Sequence, residues 1–137
     1  MIDRTDREIL HWLKQDARMQ WKEIGEKVHL TGQAVAARIR RLEEMGVIEG
    51  FTVKLDQAKL GHPITALVTV FMKSSNHRAL WQFLADHPMV EEAYRISGEG
   101  CFWLKVSASS QKELNHFLDD VLRYGNYRLN LSIEKIR

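Results

Sequence analysis

The apolar residues of this 137-residue chain change period once. From Asp3 to Gly46 they recur only at helical spacing; from Val47 onward, helical and alternating stretches interleave. A first helix is predicted from Asp3 to Asp16, with Ile9, Leu10 and Leu13 as its stripe and Asp3 and Asp6 at the positive end of its dipole. A second runs from Trp21 to Val28, with Trp21, Ile24, Gly25 and Val28 on one side. Thr31 is a natural N-cap for a third, which continues to Met45, stops at Gly46 and buries Val35, Ile39 and Leu42. Beyond it, Phe51 to Leu55 reads as a short strand and Gly61-His62-Pro63 as a break. Ile64 to Met72 reads as a buried strand, Ala79 to His87 as a helix closed by Pro88, and Val90 to Ile96 as a strand. Gly98 and Gly100 turn the chain back into a strand from Cys101 to Val106. Leu114, Phe117, Leu118, Val121 and Leu122 mark another helix, and Tyr127, Leu129, Leu131 and Ile133 alternate as a last strand.

The predicted fold is therefore α+β. An N-terminal helix-turn-helix domain of winged type occupies residues 1–49, a strand and linker 50–63, and a ferredoxin-like βαββαβ domain 64–137. Each piece is small enough for its own core to be marginal, so self-association is expected to add buried area.

Composition narrows the function classes. Apolar residues make up 45% and charged residues 28%, which excludes a disordered chain. Cys101 is the one cysteine, so a disulfide scaffold and a thiolate-rich zinc site are excluded. The six histidines share no ligand spacing, and no metal or cofactor is expected. The start does not resemble a signal peptide and no apolar run is long enough to span a bilayer, so the expectation is a soluble, cytoplasmic protein without membrane contact. The four tryptophans, Trp12, Trp21, Trp81 and Trp103, are expected as core or interface anchors. No nucleophile elbow, P-loop or dinucleotide glycine pattern occurs, and no catalytic residue is assigned.

The formal net charge is only +2, and the two halves are equally bland: residues 1–61 carry 11 Lys plus Arg against 10 Asp plus Glu, residues 62–137 carry 9 against 8. Positive charge is concentrated locally. Between Lys27 and Leu42 there are four basic residues and no acid. On a helix turning about 100° per residue, with Val35 at the centre of the buried stripe, Gln33, Ala37 and Arg40 lie on the far side, Arg41 obliquely beyond them and Arg38 at the flank. A face of small and basic residues lets a helix enter the major groove closely. Gln33 suits an adenine edge, Ala34 or Ala37 a thymine methyl, and Arg38, Arg40 and Arg41 guanine or phosphate. Thr31 suits a phosphate held at the helix N-terminus. These seven residues are the expected DNA contacts, with the arginines facing no acid.

The sequence resembles the leucine-responsive regulatory protein/AsnC family, the feast–famine regulators. The likeness runs through Ile2-Asp3, Asp6, Ile9-Leu10, Leu13 and Asp16-Ala17-Arg18, then Glu23-Ile24-Gly25 and Leu30-Thr31. It continues through Val35-Ala36-Ala37-Arg38-Ile39-Arg40-Arg41-Leu42-Glu43, Gly46-Val47-Ile48, Leu55-Asp56 and Leu60-Gly61. The resemblance implies a sequence-specific transcription regulator on double-stranded DNA. It implies homodimers paired through the sheet domain that assemble to octamers and bend or wrap DNA. It also implies an amino-acid effector held near a hairpin turn, here Gly98, Glu99, Gly100 and Cys101.

Two departures stand out. Thr31-Gly32 replaces the family's common Ser-Pro at the start of the recognition helix, and Cys101 stands where the family's turn has an aspartate. A cysteine serves neither the ammonium nor the carboxylate of an amino acid well. An effector-independent architectural DNA binder is therefore one alternative. The other is an enzyme resembling tetrapyrrole decarboxylases on the same fold, for which His62, Arg95 and His116 are the candidate residues.

Overall fold

The computed structural model describes residues 1–137, which separate into two compact units, Met1–Lys54 and Leu55–Arg137. No helix is long and apolar enough to cross a membrane.

The first unit is three helices, α1 (Arg4–Gln15), α2 (Trp21–Val28) and α3 (Gly32–Glu44). Their starts and stops follow from local chemistry. Asp3 caps α1 reciprocally with Asp6, each carboxylate accepting the other's backbone N–H. The Thr31 hydroxyl accepts the Ala34 N–H at 3.1 Å and starts α3. Gly46, at φ +75°, ends it. The N–H of Gly46 reaches the Glu43 carbonyl and that of Val47 the Leu42 carbonyl, which satisfies the last turn. Ile9, Leu13, Ile24, Val28, Val35 and Ile39 interdigitate as one core, and Leu42 is also fully buried. The α2–α3 turn is close: a Cβ on the buried Gly25 would collide with the Leu30 carbonyl oxygen, so this glycine is required by proximity.

The strand expected after α3 does not form, for a physical reason. Phe51 to Leu55 is not a strand, so the strand of a winged-type arrangement is not formed within the chain. Phe51, Val53 and Leu55 alternate in sequence but are all exposed, and no second strand lies alongside to pair their backbone. Trp21 and Trp81, expected as core or interface anchors, lie outside the core at 48% and 63% exposure.

The second unit begins with a 3₁₀ turn at Ala58–Leu60 and continues as β1 (Ile64–Met72), α4 (His77–Ala85), β2 (Val90–Arg95), β3 (Phe102–Ala108), α5 (Gln111–Val121) and β4 (Gly125–Leu131). The sheet order β2-β3-β1-β4, with every neighbour antiparallel, is the ferredoxin-like arrangement. Ala66, Val68, Val70, Phe102, Leu104 and Val106 point to one face, where Leu80 and Leu84 of α4 and Leu114, Phe117, Leu118 and Val121 of α5 cover them. On the opposite face Leu67, Thr69, Phe71 and Trp103 are only half-buried, because α4 and α5 both pack on the first face. The last strand stops earlier than its alternation implied: Ile133 is fully exposed, and its pairing with β1 ends at Leu131.

Candidate DNA-reading helix and effector turn

Helix α3 exposes Thr31, Gln33, Ala37, Arg40 and Arg41, half-buries Ala34 and Arg38, and buries Val35, Ile39 and Leu42. The wheel drawn from sequence is thus reproduced in the burial pattern. The electrostatic expectation is not. Arg38 and Arg41 do face acids, contributed by the start of α1. The Arg38 Nη1 lies 2.7 Å from Asp3 Oδ2 and 3.0 Å from Asp6 Oδ1. The Arg41 Nη2 lies 2.5 Å from Asp6 Oδ2. Asp6 has no exposed surface. Its carboxylate accepts from Arg38, Arg41 and the Asp3 backbone N–H together, which is how a buried charge is tolerated.

This arrangement corrects the reading that three arginines stand free. A stretch without acids in sequence says nothing of acids brought from another helix. The Arg38 hydrogen bond, and after it the Asp6 backbone N–H, hold the Asp3 carboxyl at about 2. Asp3 and Asp6 likewise raise the Arg38 guanidinium above its ordinary value. Asp3 and Asp6 therefore do more than complement a helix dipole: they tie α1 to α3. Of the three arginines, Arg40 alone is exposed and in no ion pair. The unclaimed surface of α3 is Thr31, Gln33, Ala37 and Arg40, with the open half of Arg41 beside it.

The hairpin turn between β2 and β3 is seated against β1. Gly98 and Gly100 have φ of +86° and +91°. A Cβ on Gly100 would come 2.5 Å from Thr69 Cγ2, so this position needs glycine on two counts. The Cys101 N–H donates to the Val70 carbonyl at 2.7 Å, and the Ile96 N–H to the Cys101 carbonyl at 2.9 Å. Cys101 is half-buried against the sheet core. Glu99 projects outward and meets Arg128 of β4 at 3.6 Å, an exposed pair of small energetic weight.

Of the residues of the enzymatic alternative, Arg95 and His116 are not brought together: His116 lines a cleft of about 320 Å³ beside His87, Glu113 and Asp120, and Arg95 lines a different cleft against Trp81.

Residues 2–43 match the AsnC-type helix-turn-helix domain, and residues 65–136 match the Lrp/AsnC ligand binding domain. The chain is 47% identical over 136 residues to the HTH-type transcriptional regulator LrpB of Bacillus subtilis, covering 99% of this chain and 91% of that protein. It is 39% identical over 125 residues to the proline dehydrogenase transcriptional activator of Rhodobacter capsulatus, covering 89% and 81%. The solved structure of B. subtilis LrpC superposes with a TM-score of 0.94 at 30% identity, over 100% of this chain and 98% of that one.

Proposed function

The chain belongs to the Lrp/AsnC family of DNA-binding transcriptional regulators, and from that premise we propose which surfaces do the work. The face of α3 formed by Thr31, Gln33, Ala37 and Arg40 enters the major groove. Gln33 and Ala37 meet base edges, and Arg40 meets guanine or phosphate. Arg38 holds the helix from its flank, and Arg41 divides its guanidinium between Asp6 and the DNA side. Ala34 sits at the edge of the footprint. The observation that carries this assignment is the pairing of Arg38 and Arg41 with Asp3 and Asp6, which leaves Arg40 the one unpaired cation on that face.

Two such helices are needed, because a single helix face with one free cation holds DNA weakly. We propose that the half-buried sheet face around Phe71 and Trp103 pairs with its equivalent in a second copy, and that dimers assemble further to octamers, in the cytoplasm with the DNA. The turn Gly98–Cys101 is the proposed effector contact, with Glu99 as the acid available to an ammonium. No reaction is assigned to the chain. Sequencing the genomic fragments retained by the purified protein, with and without a pool of amino acids, tests the reading. A shared motif among retained fragments supports it. Extended periodic protection with no motif favours the architectural alternative, and an unchanged fragment set on adding amino acids removes the effector.

A further inference from the structure

The cleft between α4 and the ends of β2 and β3 carries charge that the fold does not use. His77, Arg78, Trp81, Arg95 and Phe102 line about 280 Å³ of it. Trp81 and Arg95 continue into a second lobe of about 230 Å³ walled by Leu84, Ala85 and Ala93. Arg78 and Arg95 are exposed, and the ion pairs of this unit run through Lys105, Arg123 and Arg128 instead. His77 Nδ1 is buried without a hydrogen-bond partner, while its ring stands edge-on to Phe102 at 5.5 Å. Trp81, 63% exposed, stands in both lobes.

Each of these features selects for ligand chemistry. Two guanidinium groups without acids offer planar forks that fit a carboxylate. Leu84, Ala85, Ala93 and the Trp81 ring offer an apolar wall for a hydrocarbon body. No Asp or Glu lines either lobe, so the ammonium of an amino acid would lie beside two guanidiniums with nothing to accept it. Each lobe alone falls below the ~300–1,000 Å³ typical of drug-sized ligands, so each holds only a small group, a carboxylate in one and a short hydrocarbon chain in the other.

We propose that this cleft binds a small aliphatic carboxylate lacking an α-ammonium group. Arg78 and Arg95 take the carboxylate, and Trp81 covers the chain. The site does not include the Gly98–Cys101 turn or any residue of α3, so it stands or falls separately from both.

Calorimetric titration of the full chain, without DNA, tests it with three probes: 4-methyl-2-oxopentanoate, L-leucine and inorganic phosphate. The oxo acid is expected to bind saturably, and leucine and phosphate about tenfold or more weaker. Arg95→Gln and Arg78→Gln are each expected to weaken the oxo acid by about tenfold while leaving the circular-dichroism melt unchanged. Quenching of tryptophan fluorescence by the oxo acid is expected to vanish in Trp81→Phe. The proposal is overturned if the oxo acid shows no heat up to about 10 mM. Leucine or phosphate binding as tightly would equally overturn it, as would affinity indifferent to both arginine substitutions.

Discussion

Asp6 and Arg41 lie 35 positions apart in the chain and 2.5 Å apart in the fold. One carboxylate, without exposed surface, thereby anchors α3 to α1, with Arg38 on its other oxygen.

Asp6→Ala should be the most damaging single change in the first unit. It strands two guanidiniums and removes the acceptor for the Asp3 N–H. Breaking a fully buried pair costs about 3–5 kcal/mol, and the partial exposure of both arginines brings the expected loss to about 2–4 kcal/mol. Urea denaturation of the wild type and variant measures it. A loss below about 1 kcal/mol would show that the pairing is not structural.

Arg40→Ala and Arg41→Ala should separate. Arg40 makes no ion pair, so its removal should leave the melt unchanged and weaken DNA binding. If it contacts phosphate, the slope of log K against log salt should become shallower by about 0.9. Arg41→Ala should lower the melting temperature as well, since it deprives Asp6 of a partner. Equal effects of the two on stability would contradict the division of roles. Gln33→Ala should relax base preference at one position with little change in salt slope.

Two groups should give stability a pH dependence. Burial lowers His87 below its ordinary value of 6.5, with Asp120 and Glu113 opposing in part. Protonation therefore favours the unfolded chain. The stability of the sheet unit should be full above pH 6.5 and decline as pH falls below it, until His87 protonates in the fold. Asp3, held at about 2 against 3.8 unperturbed, contributes stability present above 3.8 and lost as pH falls toward 2. Denaturation across pH 2–8 with His87→Gln and Asp3→Asn reads both. His87→Gln should flatten the upper limb, and Asp3→Asn the lower one.

Trp103→Glu should yield a monomer. The residue lies on the sheet face that α4 and α5 leave open, its ring 5.9 Å from that of Tyr94, and a carboxylate there would be desolvated by a sheet-to-sheet pairing over it. Analytical ultracentrifugation decides. A persisting dimer would place the interface elsewhere.

Much of this was legible in the sequence where the cause is local. α2 runs from Trp21 to Val28 as expected, its buried stripe of Ile24, Gly25 and Val28 ending with the helix, and α3 obeys the Thr31 cap and the Gly46 stop. The order of strands and helices beyond Ile64 followed from the alternation of periods. What the sequence hid is non-local. Phe51, Val53 and Leu55 have the pattern of a strand, but a pattern supplies no partner. Arg38 and Arg41 have no acid near them in the chain, and only folding delivers Asp3 and Asp6. The cleft at Arg78 and Arg95 is likewise assembled from a helix and a strand whose basic residues are isolated in sequence.

The place of β1 in the sheet has a consequence for how the molecule comes into being. As the first strand made, it must wait for both of its neighbours, pairing Val68 with Leu104 on one side and Ala66 with Leu131 on the other. Such long-range closures are slow, whereas α1, α2 and α3 touch near neighbours in the chain and fold fast. On a translating ribosome the DNA-reading unit should therefore be complete while β1 still lacks a partner. Until synthesis reaches Leu131, a strand rich in β-branched residues stays open along one edge, and the sheet becomes whole only once β4 has been made.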